Sequence, residues 1–338
     1  MTFQKFVGSG RIDGWKRDPS RDPLHALTDP EGYEAGEELA RAVNVALALS
    51  MPLLLTGEPG TGKTQLASRL AAELFGTTPL RFDTKSSSQA NDLFFSFDSM
   101  RYFARSQVNA LQREDPPAAR EFVRYESLGE AILRTHPRDE VAEILPSQYP
   151  SYDHGRSVVL IDEIDKAPRD FPNDLLNQVE NREFSIPELG NVRVKADPAL
   201  APVVVITSNS EKQLPDPFLR RCVYHHIDFP EARIGEIVAG RLRHLPLGER
   251  GFEGAREFFF TLRDPAAGLV KKPSTSELLD WLRALGADLR FEPSRAFREQ
   301  REVARGCLGT LAKTDADLKR ARAFLDAPAT APRRPAAP

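Results

Sequence analysis

The sequence predicts an α/β domain built on a parallel sheet, followed by a small all-helical domain. Three observations predict it. The short apolar runs Pro52–Leu55, Ser157–Ile161 and Val203–Ile206 lack polar alternation, as strands buried on both faces do. Helical stretches lie between them, which is the alternation of an α/β architecture. Beyond Pro230 the apolar residues fall at helical spacing and strand patterns cease, so that part reads as helices alone.

Taken in order, residues 1–28 are polar, with Gly8, Gly10, Gly14, Pro19 and Pro23 and no sustained period. They read as an extension that orders only where it packs on the body. The α/β domain is expected over residues 29–230. Its first helix carries Leu39, Val43, Ala46 and Leu47 on one face and ends near Ser50. The strand Pro52–Leu55 follows, and Leu80–Phe82 is a further strand candidate. The stretch from there to Ser157, an insertion at about 90–150, is too long for one connecting helix. In it FFSFDSMRYFARSQ, Arg120–Leu133 and Asp139–Leu145 all have helix-like spacing. Phe184–Lys195 reads as two short strands around Leu189-Gly190-Asn191, a hairpin signal. Val223–Phe229 is the last strand candidate. Residues 231–325 repeat the helical period through Ile234, Ile237, Val238 and Leu242, then Leu278, Leu279, Leu282 and Leu285. The Pro/Ala-rich end, residues 326–338, is expected to be a disordered tail.

Composition narrows the function classes. With 46 Lys+Arg against 49 Asp+Glu, the net charge of −3 argues against a generally basic nucleic-acid binder. The 41% hydrophobic content of 338 residues suffices for a real core. The longest apolar run, Ala42 to Leu55, is interrupted by Asn44, Ser50 and Pro52 and is shorter than the roughly 20 residues a bilayer demands. No membrane partner is therefore expected. The opening MTFQKF lacks a signal-peptide pattern, and Cys222 and Cys307 lack metal-ligand spacing. A cytoplasmic setting is the simple expectation.

The strongest chemical signal is Gly57-Glu58-Pro59-Gly60-Thr61-Gly62-Lys63-Thr64, a GxxxxGK[ST] loop between an apolar strand and a helix opened by Gln65. Glycines let consecutive N–H groups turn inward around a phosphate, and the helix N-terminus adds partial positive charge. Lys63 supplies a full charge to the β- and γ-phosphates, and the Thr64 hydroxyl is placed for Mg²⁺. Gln65 is counted with the nucleotide-binding residues.

Three further stretches follow downstream. In Val158-Val159-Leu160-Ile161-Asp162-Glu163 two carboxylates close a buried strand, where open α/β sheets bind ligands. Asp162 would hold Mg²⁺, directly or through water, and Glu163 would act as general base toward the attacking water; capping of the next helix is the plainer alternative. Asp165 and Lys166 read as surface or subunit contacts. After Val203-Val204-Val205-Ile206-Thr207-Ser208, Asn209 would position that water, the alternative being a cap or turn. In Leu214-Pro215-Asp216-Pro217-Phe218-Leu219-Arg220-Arg221-Cys222, one arginine of the pair, with Arg221 favoured, would act as a finger on a neighbouring subunit's γ-phosphate. The pair could instead satisfy helix-terminal carbonyls. A finger acting in trans requires a head-to-tail ring. No N/TKxD-like guanine-reading motif is present, so ATP is preferred to GTP.

The ordered set resembles an AAA+ ATPase, and the wording of AVNVALALSMPLLLTGEPGTGKTQLA, VVLIDEIDKAPRDFPNDLLNQVENREF, VVVITSNSEKQLPDPFLRRCVYHHIDFP and KKPSTSELLDWLRAL resembles the MoxR-like branch. The resemblance spans residues 42 to about 285. It implies a P-loop NTPase fold with a five-stranded parallel sheet flanked by helices, a small all-α lid, and a homo-oligomeric ring, usually a hexamer. It implies Walker A at Gly57 to Thr64, Walker B at Asp162 and Glu163, sensor 1 at Asn209 and the finger at Arg220 or Arg221. The long insertion and the Phe184–Lys195 hairpin are similar to elements of that branch. Its sensor-2 arginine is replaced: Ser276 holds the place, with Lys272 as the substitute candidate. Tyr33 and Val43 are candidates for packing near adenine or for the core. The activity that the resemblance implies is ATP-driven remodelling of a client protein, one with a von Willebrand A (VWA) domain being the expected partner, in assembly, activation or a bacterial defence system. A slow nucleotide switch and a nucleic-acid motor are the alternatives. The motor would use Arg101, Arg105, Arg113, Arg120 and Arg124, which Glu114, Asp115 and Glu121 dilute. Nucleic acid is thus not an expected partner.

Overall fold

Leu53–Gly57 (β1), Val158–Asp162 (β5) and Val203–Thr207 (β8) are buried at every position, the pattern that sequence runs without alternation predict. In the computed structural model they are the centre of a five-stranded sheet of order β2-β5-β8-β1-β9, with Leu80–Asp83 (β2) and Val223–Ile227 (β9) at its edges. Every pairing in it is parallel. The structure describes residues 6, 30, 32–149, 152–209, 214–242, 249–288, 290–292 and 294–327. Most of the N-terminal extension and of the Pro/Ala-rich end lie outside the described residues.

Helices cover both faces because successive strand residues point to opposite sides. Leu53, Leu55, Val158, Leu160, Val203 and Val205 pack under Glu37–Leu49 (α1) and Lys63–Phe75 (α2) through Leu39, Val43, Leu66 and Leu70. Leu54, Val159, Ile161, Val204 and Ile206 face the other layer, built by Ser127–Leu133 (α4) and Phe171–Asn181 (α5). Each apolar side chain so buried contributes about 1.5–3 kcal/mol. Phe6 joins the α1 face, where its backbone exchanges hydrogen bonds with the Asn44 side chain at 3.1 Å in both directions. Arg69 of α2 is fully buried, its Nε on Glu73 at 2.8 Å and its Nη1 on the Pro30 carbonyl at 3.3 Å.

The insertion differs from its helical expectation. Phe95–Phe97 (β3) pairs antiparallel with Val123–Tyr125 (β4), and this ribbon carries Ser99–Gln112 (α3). The strands alternate, Ser96 and Arg124 exposed between more buried neighbours, but three residues are too few to register as a period-2 signal. Arg120–Leu133 accordingly splits into a 3₁₀ turn, β4 and α4. Asp139–Leu145 forms successive turns rather than a helix; Pro137 and Pro146 bracket a segment too short to nucleate one. Glu183–Ile186 (β6) and Val192–Lys195 (β7) form the antiparallel hairpin its turn residues predict.

By its contacts the chain divides into two units, Met1–Glu58 with Gly62–Asp228, and Pro59–Thr61 with Phe229–Pro338. Besides Asp216–Leu219 (α6) in the first, the helices Ile234–Arg241 (α7), Glu249–Arg263 (α8), Thr275–Ala287 (α9), Arg301–Cys307 (α10) and Asp315–Asp326 (α11) build the second. An aromatic triangle centres it: Trp281 to Phe258 at 5.7 Å, Trp281 to Phe297 at 5.6 Å and Phe258 to Phe297 at 5.8 Å. Ser274 and Glu277 close a capping box at the start of α9.

Candidate functional site

A parallel sheet brings the C-terminal ends of all its strands to one edge, and the polar residues singled out by sequence sit there. β1 ends in the glycine loop, and Gly62 caps α2 with φ 93, a left-handed conformation natural to glycine. A Cβ there would also meet the Tyr33 ring at 3.0 Å. Gly60, with φ +77, lies in the second unit, where a Cβ would stand 2.5 Å from Ser276 Oγ. Glu58, Pro59 and Gly60 are exposed, while Thr61, Thr64 and Gln65 are half-buried.

Lys63 is buried and its Nζ donates to the carbonyls of Gly57 at 2.7 Å and Glu58 at 3.0 Å. The ammonium therefore bonds the loop that a phosphate would fill. Burial pushes its pKa down from the ordinary lysine value, and the carboxylates of Asp162, Asp165, Glu163 and Glu58 oppose that push.

Asp162 is the hub. Its Oδ1 accepts from Thr64 Oγ1 at 3.0 Å and Thr207 Oγ1 at 2.5 Å; its Oδ2 accepts from Thr64 at 3.3 Å and Arg81 Nη2 at 2.9 Å. A hydroxyl and a carboxylate touching each other are hard oxygen donors of the kind Mg²⁺ takes, with water and phosphate oxygens completing its octahedron. The residues present fit that ion. Among the described residues no group of three or more His, Cys, Asp or Glu could hold a metal by itself.

Glu163 follows with φ 57, a left-handed conformation that costs a non-glycine residue about 1–2 kcal/mol. Its N–H donates to Thr207 Oγ1 at 2.9 Å, which holds the turn. The carboxylate is shared between Asn209 Nδ2 at 3.2 Å and the Lys166 ammonium. Asp165, expected at the surface, is 2% exposed and accepts the Asn209 N–H at 3.3 Å. The correction has a simple cause: the short 3₁₀ turn Ile164–Lys166 rotates Asp165 inward beneath the end of β8. Lys166 does lie at the surface.

Asp162, Glu163, Asn209, Lys63 and Thr64 thus converge at one edge. Arg220 and Arg221 stand apart, exposed at the end of α6, with Arg221 Nε on Glu180 at 3.0 Å. Val43 is a core residue, and Tyr33 is buried in the same cluster. Two participants had no role in the motif reading. Thr207 bridges Asp162 and the Glu163 amide. Arg81 reaches Asp162 from the next strand, and the alternation of Arg81 and Asp83 in Leu80–Asp83 was the available signal.

The family model described as AAA domain (dynein-related subfamily) matches residues 52–222. No curated protein sequence matches the chain. Among solved structures the chain is similar to Hsp104 of S. cerevisiae in an ADP complex, with 18% identity, 73% of this chain and 44% of that chain covered, and a TM-score of 0.40. It is also similar to the Thermotoga maritima RuvB Holliday junction branch migration motor, with 15% identity, 81% and 68% coverage, and a TM-score of 0.41. The chain spans less than half the length of that Hsp104 chain. Among the described residues no helix is long and apolar enough to cross a membrane.

Proposed function

The chain belongs to the dynein-related AAA domain family, and from that premise we propose that it hydrolyses ATP with Mg²⁺ at the C-terminal edge of its sheet. The observation that supports this reading is the network of contacts of 3.3 Å or less that joins Thr64, Asp162, Glu163 and Asn209 through Thr207, with the buried Lys63 ammonium in the field of the Asp162 and Glu163 carboxylates. The amides of Gly57 to Thr64 receive the phosphates, and Lys63 leaves its loop carbonyls for them. Thr64 and Asp162 hold the metal ion, which when bound neutralises charge on the β- and γ-phosphates. Glu163 accepts a proton from the attacking water, which Asn209 orients; their hydrogen bond keeps the two groups on the same molecule of water. Arg221 or Arg220 is contributed to the γ-phosphate of the adjoining protomer. The pairing of Arg221 with Glu180 is between half-exposed partners and worth about 0–1 kcal/mol, so that arginine is easily released.

The finer reading follows the sequence resemblance. It is a MoxR-like ATPase in a closed ring, usually of six protomers, whose 29–230 domain and 231–325 helical lid move on one another to remodel or activate a client. A protein with a VWA domain, in a bacterial assembly or defence system, is the client this branch suggests.

Phosphate release by the wild type and by Glu163→Gln tests the first part. We expect turnover to fall by about 10²–10⁴-fold, the worth of a positioned base, with nucleotide binding retained. Sedimentation of Glu163→Gln with ATP tests the second: a ring is expected, and a persistent monomer removes the trans-acting arginine.

A further inference from the structure

Arg81 belongs to none of the motifs, yet it touches the residue on which the site turns. β2 runs parallel to β5 with Asp83 opposite Asp162 and Arg81 opposite Leu160. Alternation along a strand puts Arg81, Asp83 and Asp162 on one face of the sheet. Arg81 makes two contacts there, Nη2 to Asp162 Oδ2 at 2.9 Å and Nε to Asp83 Oδ1 at 2.6 Å. The Asp162 side chain is 7% exposed, whereas those of Arg81 and Asp83 are 52% and 64% exposed.

A carboxylate that deep needs a counter-charge. Thr64 and Thr207 give Asp162 hydrogen bonds but no charge, and the buried Lys63 ammonium acts on it only through space, so the cation in direct contact with its oxygens is the guanidinium. That is the charge a bound Mg²⁺ would supply, and both cannot make full use of one carboxylate. Asp83 lies two residues along the same face and already holds the other end of the arginine. The guanidinium therefore has a second partner to stay on when Asp162 is taken.

Building on the Mg²⁺–nucleotide reading above, we infer that Arg81 is a tethered counter-cation of Asp162, which gives up that carboxylate to the metal by pivoting onto Asp83 and so sets the metal requirement of nucleotide binding. Arg81 is a positioning residue, and its effect appears in the balance between metal-free and metal-bound nucleotide.

The test is a fluorescence titration of the full chain with ribose-tagged fluorescent ADP, once in excess EDTA and once in saturating Mg²⁺. The quantity read is the metal gain, Kd in EDTA divided by Kd in Mg²⁺. Arg81→Met is expected to raise the gain by about fivefold, the upper scale of a partly exposed ion pair. Asp83→Asn, which removes the second partner, is expected to lower it by about two- to fivefold on the same scale. The double variant should behave as Arg81→Met alone, because Asp83 acts only through the arginine. Arg81→Lys keeps the charge but loses the planar fork that spans both carboxylates, so its gain should fall between those of wild type and Arg81→Met. A gain unchanged in Arg81→Met overturns the inference. So does an Asp83→Asn effect that persists undiminished in the Arg81→Met background, which would make Asp83 a plain field charge on the metal. Either result leaves the nucleotide reading standing. Wild type that binds the tagged ADP in neither buffer overturns that reading and the inference with it.

Discussion

The C-terminal edge of the five-stranded sheet and the insertion between β2 and β5 are built on opposite terms. At the sheet edge, strands buried on both faces hold a few polar side chains within 3.3 Å of one another, and the surrounding core pays for the strain at Glu163. In the insertion, a two-strand ribbon of three residues each carries α3, of whose 14 residues only Asn109 is buried. Met100 and Leu111 on that helix are each 86% exposed. The first region is thus defined by chemistry on a rigid base. The second is defined by where its ends are pinned. Its pin is backbone packing: Glu126 N–H donates to the Phe94 carbonyl at 2.9 Å, and a Cβ on Gly129 of α4 would come within 1.9 Å of that oxygen.

Single substitutions test whether the two regions are as separate as this. The largest effect is expected from Lys63→Met, which removes the charge but keeps the stem. Nucleotide affinity should fall by about 100-fold, since hydrogen bonds to a charged group are worth about 1.5–3 kcal/mol each, while the melting temperature stays close to wild type. Isothermal titration beside a thermal melt reads both; a collapse of the fold would show that the sheet edge is structural first. Gly129→Ala comes next and should act in the opposite sense. Overpacking against backbone costs about 1–3 kcal/mol, read as a lowered melting temperature with unaltered nucleotide affinity. A matching loss of affinity would mean that the two regions are not separable. The smallest effect belongs to Leu111→Ser on the exposed face of α3, within about 0.5 kcal/mol in a denaturant titration. A larger loss would reveal that this face is covered.

The same contrast explains what could be read in advance. The glycine loop, the Asp162–Glu163 pair and Asn209 were legible because each is a short string attached to a strand with its own apolar signature. The hairpin Glu183–Lys195 was legible through Leu189-Gly190-Asn191. In the insertion, Phe94–Gln107 read as one helix because helical spacing in α3 overran the three residues of β3. Asp165 was misplaced because an acidic residue after a strand normally meets water, and here the chain turns it under β8.

What the amino-acid order determined by itself was local: strands buried on both faces, helices between them, and a phosphate loop whose turns require glycine at Gly60 and Gly62. These follow from periodicity and backbone sterics within a dozen residues. Which distant side chains share a carboxylate was set instead by the folded packing. Thr207 reaches Asp162 across 45 residues of chain and Arg81 across 81, and the β3–β4 pairing unites segments on either side of a whole helix. Strand register sets those meetings, and between parallel strands far apart in the chain no turn fixes it, so it follows from how the strands and their covering helices pack together.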